Sequence, residues 1–98
     1  MKFVKEKIKS ITFNDREAYR YGYYLNHSFI WHRENGPAIE IEDQHEEWYT
    51  HGVRHREDGM AYISKKYDTY LYYLNGIHII PQPESLEEFL KVVKYSKF

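Results

Sequence analysis

The sequence contains one motif written twice: residues 30–39 read IWHRENGPAI, and residues 53–62 read VRHREDGMAY. In both copies His-Arg-Glu is followed by a dipeptide ending in Gly, one variable residue and Ala, and the copies are 23 residues apart, from His32 to His55. A second element, an aromatic residue just before a turn pair, recurs at residues 24–27, 49–52 and 73–76. Periods of about 20–50 residues are typical of proteins built from stacked small units. The sequence therefore predicts an array of short repeated units.

Turn signals divide the repeats into short extended segments. Asn35-Gly36 and Asp58-Gly59 indicate hairpins, because a type I′ turn needs positive φ at both central residues and Asn, Asp and Gly tolerate it best. Polar and apolar residues alternate between them, as in residues 39–42, and the 11 Tyr residues favour strands. Short connections place sequential strands side by side. We therefore predict a mainly β fold, an antiparallel β-meander of hairpin repeats with about seven or eight strands.

The two ends of the chain differ from the repeats. Residues 1–13 fit no single period, and a strand over 9–13 is favoured. Near the other end, Ser85 and Glu88 form a capping box that opens an apolar stripe at helical spacing, which predicts one α-helix over 85–95 that docks on the sheet. We predict a single domain of residues 1–98, with an N-terminal segment (1–22), hairpin repeats (23–80) and a C-terminal helix (84–96).

Charge and composition exclude several classes of protein. The chain has 14 Lys and Arg against 15 Asp and Glu, so it lacks the large single-sign field of a DNA mimic or of a broad phosphate-binding surface. It has no Cys, which excludes disulfides and thiolate metal sites. No stretch has the length and apolarity of a signal peptide or a membrane span. A soluble cytoplasmic protein with no membrane contact is expected.

The repeat resembles the short hairpin repeats of MORN-type proteins. It is more similar to a variant found in phage and large-virus proteins, whose unit reads roughly Trp-Tyr-x-Asn-Gly-x-x-His-Arg-x-Asp-Gly-Pro-Ala. The match covers residues 23–80, but the first copy has His27 where the unit has Gly, the second has Met60 in place of Pro, and the third lacks the Arg. The resemblance implies a hairpin array, a scaffold or protein contact without catalytic activity, and the host cytoplasm if the protein is phage-encoded.

The sequence offers little to a metal site or an enzyme. The six His residues include no His-Glu-x-x-His pattern, and no Gly-rich phosphate loop or activated nucleophile is present. We predict no catalytic residue, no metal and no cofactor. The repeated His-Arg pairs have two interpretations, a structural contact between units or part of a docking surface.

We predict a non-catalytic protein-binding module, because 11 Tyr exceed what so short a chain buries and exposed Tyr, Trp and Arg are typical of recognition surfaces. The partner is expected to be a host protein, such as a defence component that the protein modulates or inhibits. RNA or single-stranded nucleic acid bound by aromatic stacking is the alternative, and homo-oligomers through a strand edge are compatible with both. The predicted partner-binding residues are Trp31, His32, Arg33, Trp48, Tyr49, His55 and Arg56.

Overall fold

The computed structural model describes residues 1–8 and 16–96. Within these ranges the chain forms eleven β-strands and one α-helix. The favoured strand over residues 9–13 lies outside the described residues. The elements are β1 (Val4–Lys7), β2 (Ala18–Leu25), β3 (Ser28–Trp31), β4 (Ile39–Ile41), β5 (His45–Glu47), β6 (Tyr49–Thr50), β7 (Val53–Arg54), β8 (Tyr62–Ser64), β9 (Thr69–Leu71), β10 (Tyr73–Leu74), β11 (Ile77–His78) and α1 (Leu86–Tyr95).

The predicted mainly β fold with antiparallel strands and one C-terminal helix is confirmed. The main sheet has seven strands in the order β1-β2-β4-β5-β8-β9, with β3 also paired to β2. Two further pairs, β6-β7 and β10-β11, form separate two-stranded sheets. The molecule measures 37 × 32 × 18 Å, and its smallest dimension is that of a thin slab. The described residues hold more and shorter strands than predicted, because single residues interrupt the pairing between β5 and β6 and between β9 and β10.

The chain folds into three units that share one design, and we number them by their hairpins. Unit 1 contains the hairpin β2-β3, unit 2 the hairpin β6-β7, and unit 3 the hairpin β10-β11. The hairpin turns lie at residues 26–27, 51–52 and 75–76, and both residues of each turn have positive φ. The turns predicted at His51-Gly52 and Asn75-Gly76 are therefore present.

The predicted hairpin turns at Asn35-Gly36 and Asp58-Gly59 are wrong. Neither dipeptide has positive φ, and β3 and β4 do not pair with each other. Trp31 lies opposite Gly22 and Ile39 opposite Arg20, so β3 and β4 follow the same edge of β2 in succession. Residues 32–38 leave that edge as a loop and return to it. Gly36 is needed in this loop because a side chain packs closely against it, as described below.

The helix α1 closes the end of the array, as its apolar stripe predicts. The Ser85 hydroxyl accepts a hydrogen bond from the Glu88 amide at 3.2 Å, and the Glu88 carboxylate accepts from the amide of Glu84 rather than that of Ser85. Phe89 is fully buried and stacks on Tyr72 of unit 3, with 4.2 Å between ring centroids. The other residues of this core are Leu74, Met60, Ile79 and Val93.

Candidate functional site

The His residue of each motif holds the turn of the following unit. His32 Nδ1 accepts a hydrogen bond from the His51 amide at 2.9 Å, and His55 Nδ1 accepts one from the Asn75 amide at 2.9 Å. The second turn amide, that of Gly52, donates to the Trp31 carbonyl at 2.8 Å. His32 is only 4% exposed. Because Nδ1 accepts from a backbone amide, the ring proton of each His lies on Nε2.

The guanidinium group of each motif Arg lies over an aromatic ring, that of Tyr21 in β2 or that of Trp48 just after β5. The Arg33 guanidinium carbon is 3.8 Å from the centre of the Tyr21 ring, and that of Arg56 is 3.6 Å from the Trp48 ring. Each guanidinium also donates to a carbonyl of its own loop, at 3.2 Å in unit 1 and 3.0 Å in unit 2. Tyr19 lies opposite Glu40 and Glu40 opposite Glu46, so Tyr21 and Trp48, each two residues further along, lie on one face, which we call the arginine face.

The remaining residues of the motif leave room for the guanidinium groups. A Cβ atom on Gly36 would lie 2.8 Å from the Arg33 guanidinium carbon, and one on Gly59 would lie 2.9 Å from that of Arg56. The motif Ala residues, Ala38 and Ala61, are fully buried. His-Arg-x-x-Gly-x-Ala is therefore a packing unit in which small residues flank a stacked Arg.

The seven predicted partner-binding residues do not share one surface. Trp48 and Tyr49 are consecutive in an extended segment, so their side chains point to opposite faces. Trp31 packs on Tyr49 with 4.9 Å between ring centroids, away from the arginine face. Tyr49 is buried, whereas Trp31 is 37% exposed. Arg33, Trp48 and Arg56 lie together on the arginine face, while His32 and His55 are the contacts between units.

A carboxylate network below Trp31 was not singled out by the sequence motif. Glu47 accepts hydrogen bonds from Arg54 at 2.6 Å and from the Tyr49 hydroxyl at 2.8 Å, and it contacts His45 Nε2 at 2.7 Å. Burial raises the pKa of Glu47, but the hydrogen bonds and the Arg54 charge outweigh it, and the net pKa is lowered. The sequence does contain one indication of this network. The residue before the motif His is Trp31 in the first copy but Arg54 in the second copy.

A cleft opens on the arginine face beside the first strand. Its volume is about 320 Å³. One wall is the Phe3 ring, which stacks on His32 at 5.2 Å, and the other includes Tyr21 beneath Arg33. The lining residues are Phe3, Val4, Lys5, Tyr21, Gly22, His32, Arg33 and Glu34. Burial and a 2.7 Å hydrogen bond to Glu40 raise the pKa of Tyr21, so its hydroxyl is neutral at physiological pH.

A second cleft, of about 300 Å³, is acidic. It lies near the β4-β5 turn, and its lining residues are Glu17, Tyr19, Glu40, Ile41, Glu42, Asp43, His45 and Glu46. Across residues 1–8 and 16–96, no three His, Asp or Glu side chains are grouped so that they could hold a metal ion. In the same residues, no helix has the length and apolarity needed to cross a membrane.

Comparison with known proteins gives no relative for this chain. No family model matches the sequence, and neither the curated proteins nor the solved structures contain a match.

Proposed function

We propose that this protein is a non-catalytic protein-binding module and that the arginine face is its main contact surface. The observation that carries the proposal is the repeated stack of a partly exposed guanidinium on an aromatic ring. The Arg33 side chain is 33% exposed and that of Arg56 is 20% exposed. Trp, Tyr and Arg are the residues most enriched among those that dominate binding energy in protein interfaces.

The two Arg side chains are fixed before any partner arrives. Each is held by a ring below it and by a carbonyl of its own loop. An immobilised side chain loses less conformational entropy on binding, which strengthens association. The thin slab shape adds to this, because it leaves a broad face for a partner.

The test is affinity capture of the tagged full chain from cell lysate, with and without nuclease, read by mass spectrometry. The proposal expects a stoichiometric protein that survives nuclease treatment. Recovery of nucleic acid, or loss of every partner after nuclease, would support the stacking alternative instead. Binding to nucleic acid would also weaken steeply with added salt, because it depends on displaced counterions.

Three finer predictions concern the repeat family, the location and the partner of the protein. The assignment to a MORN-like or phage-type repeat, the cytoplasmic location and the host defence protein as target rest on the sequence resemblance. They stay predictions, and the identity of the captured protein would test the last of them directly.

A further inference from the structure

Within residues 1–8 and 16–96, no strand occupies the outer edge of the first strand of the main sheet. In the described residues β1 pairs with β2 alone. Tyr21, the partner of Lys5, turns its backbone amide and carbonyl away from β1, towards Ala38 and His32. In an antiparallel ladder both residues of such a pair point their backbone groups away from each other. The amides and carbonyls of Lys5 and Lys7 therefore point to the outer side of the sheet.

This edge is basic. Lys2, Lys5 and Lys7 are exposed, and no carboxylate of residues 1–8 or 16–96 pairs with them. The one acid of β1, Glu6, is already bound by Arg20 at 2.7 Å. The Lys5 ammonium lies 4.3 Å from the centre of the Tyr19 ring, on the same face as the cleft.

These lysines disfavour a second copy of the chain at this edge. Two β1 strands related by a twofold axis could pair antiparallel and form one continuous sheet. Residues that lie opposite each other in such a pair have their side chains on the same face of the sheet. In the registers centred on Lys5 or Glu6, Lys5 would then lie opposite Lys5 or Lys7 of the other copy, and like charges directly opposite are destabilising. In the register centred on Val4, Lys5 would lie opposite the uncharged Phe3 and gain no charge partner. An acidic strand meets no such repulsion.

We propose that the β1 edge binds an acidic, extended segment of a protein partner, which adds a strand to the sheet and places an apolar side chain in the cleft. This inference rests on the proposed function and specifies the partner's chemistry. Added strands bind through backbone hydrogen bonds and are selected by alternate side chains. The segment should therefore carry two acidic residues spaced by two, facing Lys5 and Lys7, and an apolar residue two positions further, beside Phe3.

The test is selection from a random dodecapeptide library against the immobilised full chain. The expected consensus is acid-x-acid-x-apolar, in one chain direction or the other. A synthetic peptide of that consensus should bind Lys5→Glu about tenfold more weakly than wild type, because attraction becomes repulsion. It should also slow amide exchange at Lys5 and Lys7.

The matched control is Lys66→Glu, since the Lys66 ammonium also lies over a tyrosine ring, at 5.4 Å from Tyr67, but on the turn after β8. Its affinity should equal that of wild type, and thermal melting should show that both variants fold. No enrichment, a consensus without paired acids, or equal affinity for Lys5→Glu would overturn the proposal. If a captured protein binds Lys5→Glu as well as wild type, protein binding stands and the edge proposal fails; if no protein is captured, both fail.

Discussion

Replacing His32 with Phe should weaken the contact between units 1 and 2 while keeping an aromatic ring in place. The His32 ring stacks on His51 at 4.1 Å and on Phe3 at 5.2 Å, and Phe can retain both contacts. The substitution removes Nδ1, the acceptor for the His51 amide at 2.9 Å. It also removes the contact between Nε2 and Glu34 at 3.1 Å.

The expected loss follows from these two contacts. An unpaired buried donor costs about 1–3 kcal/mol. The hydrogen bond of the His51 amide is only partly buried, which favours the lower half of that range. The Glu34 side chain is 76% exposed, so its contact adds roughly 0–1 kcal/mol. A total loss of about 1–3 kcal/mol would lower the Tm by roughly 4–24 °C for a domain of this size.

The assay is thermal and urea unfolding followed by tryptophan fluorescence, together with amide exchange at His51. The control is Glu34→Ala, which removes only the exposed partner and should shift stability by less than about 1 kcal/mol. If His32→Phe melts at the wild-type temperature and the His51 amide stays equally protected, the motif His does not hold the next unit.

Three further predictions concern the network, the helix and its cap. Because the pKa of Glu47 is lowered by folding, its contribution is present above its ordinary value of 4.5 and is lost as the pH falls through the lower folded value. Glu47→Gln should therefore cost about 1.5–3 kcal/mol at pH 7 and flatten the acid limb of the stability profile, as measured by urea unfolding from pH 2 to 7; an unchanged acid limb would contradict this. Phe89→Ala should cost about 3–5 kcal/mol in urea unfolding, because it empties the core beneath α1, and a loss below 1 kcal/mol would show that the helix does not cap the array. Ser85→Ala should cost about 0.5–2 kcal/mol through the lost N-cap, with reduced helical circular dichroism, whereas Ser85→Asp should restore both.

The elements predicted from local signals are those for which local chemistry is decisive. The helix has a cap and an apolar stripe, and the turns at residues 51–52 and 75–76 need positive φ. Asn35-Gly36 has the same sequence pattern as a hairpin turn, but its Gly is present for another reason. Its Gly is needed because the guanidinium of Arg33, three residues earlier, lies against it. A glycine required for close packing cannot be distinguished from a glycine required for φ by sequence alone.

The spacing between turns and the spacing between motif His residues differ, and this difference reflects the lengths of the hairpins. The turns of units 1 and 2 are 25 residues apart, Asn26 to His51, whereas the motif His residues are 23 apart, His32 to His55. The difference of two arises because hairpin β2-β3 is longer than hairpin β6-β7. In unit 3, Ile79 occupies the motif His position and joins the core beneath α1. The loss of the His thus marks the end of the array.

The site was harder to predict because strand alternation divides neighbouring residues between faces. The sequence places Trp48 beside Tyr49 and Trp31 beside His32, yet each pair separates in the fold. Arg56 pairs with Trp48, eight positions earlier, across the hairpin β6-β7, and Arg56 itself lies in the loop around Asp58-Gly59 for which a hairpin turn is wrongly predicted. Composition indicated a recognition surface, and only the register shows which of its residues share a face.

The measurement that tests the proposed function most directly is the affinity of the captured protein for wild type and for the double variant Arg33→Lys, Arg56→Lys. Lys keeps the charge but loses the flat guanidinium that stacks on a ring. Arg16→Lys is the control, because Arg16 is exposed and donates to the Glu42 carbonyl at 3.2 Å, with no ring beneath it in the described contacts. We predict at least about tenfold weaker binding by the double variant, which thermal melting should show to be folded, and wild-type binding by the control. Equal affinity of the double variant, or capture of nucleic acid alone, would contradict the account.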